Sequence, residues 1–119
     1  MVPAGGRQVV LVVDDEPAIR LLCRVNLELA GYEVLEASTL DQARSRLADG
    51  GVDVVLLDMH VGRERGDTLL RELKAAGTPV AAVTGSTDVA SLRDVADAVL
   101  PKPFTIDDLE ATVARLAGG

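Results

Sequence analysis

Aromatic side chains are almost missing from this chain: one tyrosine, Tyr32, one phenylalanine, Phe104, and no tryptophan. Packing must therefore fall to Val, Leu and Ala, and a hydrophobic fraction of 48% is enough to bury a real interior. A single cysteine, Cys23, excludes an internal disulfide and a cysteine metal cluster. It lies in an apolar helical stretch and reads as core filler. No run approaches the ~18 apolar residues of a membrane span, and "MVPAGGRQ" carries no apolar signal region. The expected setting is soluble, reducing and cytoplasmic, with no membrane contact. Positive charge is also scarce: 12 Lys and Arg stand against 19 Asp and Glu, a net charge of −7. That balance argues against direct nucleic-acid binding, which needs basic groups on the phosphate backbone. It suits cations, or a basic patch on a protein partner.

At 119 residues the chain is read as one domain over 1–119, with no output domain. Short Val-rich runs at 9–13, 33–37, 52–57, 79–83 and 98–100 suit strands buried on both faces of a parallel sheet. Helical periods lie between them. Ile19, Leu22, Cys23, Leu29 and Ala30 share one face, interrupted by Asn26. Leu40, Ala43 and Leu47 form a second stripe, Leu69, Leu70 and Leu73 a third, and Leu109, Val113 and Leu116 a last one. Pro17 fits a first helical turn. Thr39 with Gln42, and Thr105 with Asp108, resemble capping pairs. Gly31, Gly50–Gly51 and Gly77 stop helices. "GSTDVASLRDVADA" has room for only a short helix, and "MVPAGG" and "AGG" read as frayed tails. Strands alternating with helices give a doubly wound α/β sheet, whose ligands bind beyond the carboxyl ends of strands.

Polar residues collect at those ends. The first run closes on Asp14, Asp15 and Glu16; the third closes on Asp58; Thr84 follows the fourth and Lys102 the fifth. Adjacent carboxylates repel, and a bound cation relieves that repulsion if the first and third strands are neighbours. Carboxylate oxygens without histidine or cysteine ligands favour Mg²⁺, with Mn²⁺ as a possible substitute. Lys102 adds a point charge able to pair with Asp58 at rest and with a phosphoryl group later. Thr84 adds a hydroxyl donor. Carboxylates, a divalent ion, an ammonium and a hydroxyl form a phosphoryl-transfer site, with Asp58 as nucleophile.

The chain resembles a response-regulator receiver domain of two-component signalling over roughly residues 8–117. The matching features are "VDDEP", Asp58 at the end of "VVLLD", Gly66 eight residues later, Thr84 with Gly85, and "KPF" at 102–104. The resemblance implies a flavodoxin-like, five-stranded parallel sheet of order 2-1-3-4-5 with five helices, the fourth short. It implies that Asp58 accepts a phosphoryl group from a histidine of a sensor kinase or phosphotransfer protein and then acts on a downstream protein target. Asp15 and Asp58 would ligate the metal directly, Asp14 through water, and the backbone carbonyl of His60 would complete the shell. Thr84 and Lys102 would hold phosphoryl oxygens, and Lys102–Pro103 would be cis. Such a protein is not an enzyme beyond its self-catalysed phosphoryl chemistry.

Three departures from the family pattern stand out. Val61–Gly62 replaces the usual Met-Pro, so the loop is expected to be more mobile. Val99 replaces the usual Tyr or Phe. The stretch from Thr84 to Lys102 is short by about one helical turn. "GRERGD" at 62–67 reads as a solvated loop, and the His60 side chain is expected at the pocket rim, where it would set the phosphoryl lifetime. Activation is expected to move the loop after Thr84 and the short helix that follows. The competing readings are a pseudo-receiver scaffold that works without phosphorylation and an aspartyl phosphatase of the haloacid dehalogenase type. The latter carries its nucleophile after strand one in a D-x-D pattern, whereas here the lone acid is on strand three.

Overall fold

The computed structural model describes residues 7–85 and 89–118. The five Val-rich runs form strands β1 (Val9–Val13), β2 (Glu33–Ala37), β3 (Val54–Asp58), β6 (Val80–Thr84) and β7 (Ala98–Pro101). All pair in parallel, in the order β2-β1-β3-β6-β7. Along the chain these five run 2-1-3-4-5, as the resemblance implied. Several strand boundaries differ from expectation. Strand three begins at Val54 and ends on Asp58, and strand four ends on Thr84. Both predicted site residues are thus the last ladder residues of their strands rather than the first loop residues. Ladder pairing, Asp58 opposite Val83 and Thr84 opposite Pro101, outweighs the local drop in hydrophobicity.

Period-two alternation sorts the sheet into two cores. Leu11, Val13, Val55, Leu57, Val80 and Ala82 face one side; Val10, Val12, Val54, Leu56, Ala81 and Val83 face the other. The first core is covered by α2 (Leu40–Ala48), α3 (Asp67–Ala76) and Leu92 of the single-turn α4 (Val89–Leu92). The second is covered by α1 (Pro17–Leu29) and α5 (Ile106–Ala117), with Cys23, Tyr32 and Phe104 packed into it. Branched aliphatics do fill the space that aromatics occupy in other domains of this size.

Local signals explain the helix ends. Pro17 stands in the first turn of α1. Thr39 accepts from the N–H of Gln42, whose own side chain accepts from Ser38. Thr105 and Asp108 form a complete capping box. Gly77 closes α3 at φ 76°, a left-handed conformation that favours glycine. The face of α1 needs correction. Leu27, not Leu29, is fully buried, while Leu29 is 83% exposed. Leu27 lies one turn beyond Cys23, and a helix places residues four apart on the same face.

The stretch read as a solvated loop, 62–67, is exposed over 62–65 as expected but carries regular structure. His60–Val61 (β4) and Glu64–Arg65 (β5) form an antiparallel hairpin, with His60 opposite Arg65 and Val61 opposite Glu64. The short fourth helix is as expected, four residues long. The front tail read as frayed, 1–6, lies outside the described residues, as do 119 and part of the loop after Thr84, at 86–88. The rear stretch read as frayed, 117–119, needs correction: Ala117 is the last residue of α5 and Gly118 caps it, its N–H donating to the Ala114 carbonyl.

Candidate functional site

The site is built at the carboxyl ends of β1, β3, β6 and β7, beside the β1–β3 junction where strand order reverses. Asp14 leaves β1 with its N–H donating to the Ala37 carbonyl (3.0 Å). Its Oδ1 accepts from the N–H of Glu16 (2.9 Å), turning the chain into α1. Its Oδ2 accepts from Lys102 Nζ (3.1 Å). One carboxylate therefore serves both the turn and the site. Asp58 Oδ1 accepts from the N–H of His60 (3.1 Å), and Oδ2 faces Lys102 Nζ at 3.4 Å. Asp14, Asp15 and Asp58 each offer an oxygen within 4.8 Å of the others.

Lys102 reaches this cluster because its N–H is tied to the Thr84 carbonyl (2.8 Å) just before the cis Lys102–Pro103 bond. At rest it is nearer to Asp14 than to Asp58, and Glu16 Oε1 lies 3.8 Å away. One ammonium thus faces three clustered carboxylates. Burial raises the Asp58 pKa, and the charge of Asp14 adds to this; the His60 N–H and Lys102 pull against it. Burial disfavours the Lys102 ammonium, but the hydrogen bond and charge of Asp14 with the charge of Asp58 outweigh it, so the Lys102 pKa is raised.

Every acid and cation predicted from the sequence is brought together, and Thr84 is buried at the end of β6, one residue past the partner of Asp58. His60 contributes its backbone N–H; its side chain is exposed at the rim, 3.5 Å from Arg65. The sequence reading missed Arg20. Its Nη1 donates to the Asp14 carbonyl (2.7 Å) and its Nε to Glu36 (3.1 Å), so α1 and β2 both brace the acidic turn. The available signal was Glu36, a charge inside the run "EVLEA". A cavity of about 520 Å³ between α2 and α3, lined by Leu47, Val52, Leu69 and Leu73, lies at the opposite end of the sheet and has no part in this chemistry.

A family model of the response regulator receiver domain matches residues 10–114. The chain belongs to that family. It is similar to the phosphate regulon transcriptional regulatory protein PhoB of Pseudomonas aeruginosa, 38% identical over 90% of this chain and 49% of that protein. The KDP operon transcriptional regulatory protein KdpE of Escherichia coli is 35% identical over 86% of this chain and 48% of the relative. The chain thus spans about half the length of the curated relatives it matches. Among solved structures, a CheY-like receiver domain protein from Methanospirillum hungatei superposes with TM-score 0.84 at 29% identity, covering 94% of each chain. The NtrX receiver domain of Brucella abortus gives 0.83 at 31% identity, over 92% of this chain and 98% of that one. Among the described residues no helix is long and apolar enough to cross a membrane.

Proposed function

We propose that this receiver domain accepts a phosphoryl group on Asp58 from a histidine of a sensor kinase or phosphotransfer protein and thereby switches a face that binds a downstream protein in the cytoplasm. The observation that carries this reading is the meeting of Asp14, Asp15 and Asp58 with Lys102 at the ends of three strands. An all-oxygen donor set with excess negative charge fits Mg²⁺ or Mn²⁺. Asp14, Asp15, Asp58 and the backbone carbonyl of His60 would hold that ion, which when bound neutralises charge on the phosphoryl oxygens.

The chain's own residues supply the rest. One Asp58 oxygen attacks phosphorus; a P–O bond forms as the donor's P–N bond breaks, and the electron pair leaves on the imidazole nitrogen. Burial withholds water from the attacking carboxylate, while the His60 N–H aligns it. Lys102 follows the charge from Asp14 and Asp58 to a phosphoryl oxygen, and Thr84 donates its hydroxyl to another. Such chemistry relies on positioning and charge neutralisation, with no catalytic turnover of other substrates.

Incubation with acetyl phosphate and Mg²⁺ followed by intact-mass measurement tests the reading. The expected result is one added phosphoryl group on the wild-type chain and none on Asp58→Asn. An unmodified wild-type mass would favour the scaffold alternative, for which Val99 and the single-turn α4 are the supporting features.

A further inference from the structure

Where the resemblance leads one to expect Met-Pro, this chain has Val61–Gly62, yet the segment is ordered by its own ladder. Gly62 adopts φ 62°, which lets the chain reverse through Gly62 and Arg63 and sets His60 opposite Arg65. Two-residue strands do not hold themselves together. Three further contacts hold these. The Val61 side chain is buried in the core with Leu57 and Leu69. The Gly66 N–H donates to the Met59 carbonyl (3.0 Å), and a Cβ at Gly66 would lie 3.1 Å from the Asp58 carbonyl oxygen. Arg65 Nε and Nη2 donate to the two oxygens of Asp67 (2.8 and 3.4 Å), the first residue of α3, while Nη1 lies 3.5 Å from the His60 ring. Between these anchors sits His60, whose N–H donates to Asp58 Oδ1.

We propose that Arg65 and Asp67 are positioning residues: their ion pair closes the hairpin onto α3 and so fixes the His60 backbone against the Asp58 carboxylate, in place of a rigid proline. Neither residue belongs to the acidic cluster, and both act through His60. The inference rests on Asp58 being the phosphoacceptor for its functional meaning, but the alignment of His60 can be measured without that.

The experiment uses the full chain with Arg65→Gln, Asp67→Asn and the charge-exchanged pair R65D/D67R. Three quantities are read: hydrogen exchange of the His60 and Gly66 amides, the Mg²⁺ dissociation constant from amide shifts, and the rate of modification by acetyl phosphate. Each single change should speed His60 exchange and weaken Mg²⁺ binding by about two- to fivefold, the range open to a half-exposed pair. The exchanged pair should return both to within about twofold of wild type, because the coupling is restored. The proposal is overturned if the single variants lose thermal stability while His60 exchange and Mg²⁺ affinity stay at wild-type values, or if the exchanged pair rescues neither. Should the wild-type chain take no phosphoryl group, the reading of Asp58 falls, while the exchange measurement still decides the hairpin.

Discussion

Asp58 has a side chain only 7% exposed, held between Lys102, Asp14 and the N–H of His60. Its pKa is raised, with burial the main cause. A carboxyl whose folded pKa exceeds its unfolded value favours folding below the ordinary carboxylate range, and that contribution is lost as pH rises through the folded value. At neutral pH, therefore, ionised Asp58 weakens the fold. Asp58→Asn keeps an acceptor for the His60 N–H and removes the charge, while Lys102 retains Asp14. In the absence of divalent ions the variant should melt higher than wild type at pH 7, by about 1 kcal/mol or roughly 4 °C. The difference should shrink as the pH approaches 4 in thermal melts followed by circular dichroism. A lower melting point for the variant at pH 7 would contradict this assignment of strain. Asp58 was recognisable from its place in "VVLLD"; the sign of its contribution depends on burial and on neighbours distant in sequence.

At the scale of elements, α1 separates what pattern reveals from what it does not. A 13-residue helix with Pro17 at its start is plain in the sequence. Its buried face is less so, since Leu21, Leu22, Val25 and Leu29 are exposed leucines and valines that periodicity alone cannot distinguish from core. Only Cys23 and Leu27 are fully buried, because the sheet beneath admits a narrow stripe between α1 and α5. Leu27→Ala should cost about 2–5 kcal/mol through the cavity it leaves, while Leu29→Ala should stay within about 0.5 kcal/mol. Urea unfolding of the two variants checks the contrast, and equal losses would put Leu29 back in the core. The β4–β5 hairpin escaped sequence reading for another reason. "GRERGD" has no apolar alternation, and the contacts made around it, the burial of Val61, the Gly66 N–H on the Met59 carbonyl and the Arg65–Asp67 pair, are not marked by hydrophobic period.

Across the whole molecule, the acidic cluster would couple cation binding to stability, because the proposed ligands come from separate strands and meet only in the folded state. Mg²⁺ at a hundredfold excess over its dissociation constant should stabilise the fold by about 2.7 kcal/mol, seen as a rise in melting temperature. In Asp58→Asn that rise should be smaller; an equal rise would place the ion elsewhere. Beryllofluoride with Mg²⁺, a mimic of the phosphorylated state, should shift the amide resonances of Val89–Leu92, and unmoved resonances there would exclude α4 from the switch. The sequence by itself determined the alternation of strands and helices, the caps, the paucity of aromatic packing and the identities of Asp14, Asp15, Asp58, Thr84 and Lys102, because these follow from periodicity, local hydrogen bonding and residue chemistry. Only the tertiary structure decided that Lys102 rests closer to Asp14 than to Asp58, that Arg20 braces the acidic turn, which face of α1 is buried, and that a hairpin holds His60. The first depends on distances between residues far apart along the chain and the third on competition for a limited buried surface. The other two join residues five or six apart through polar contacts that no hydrophobic period encodes.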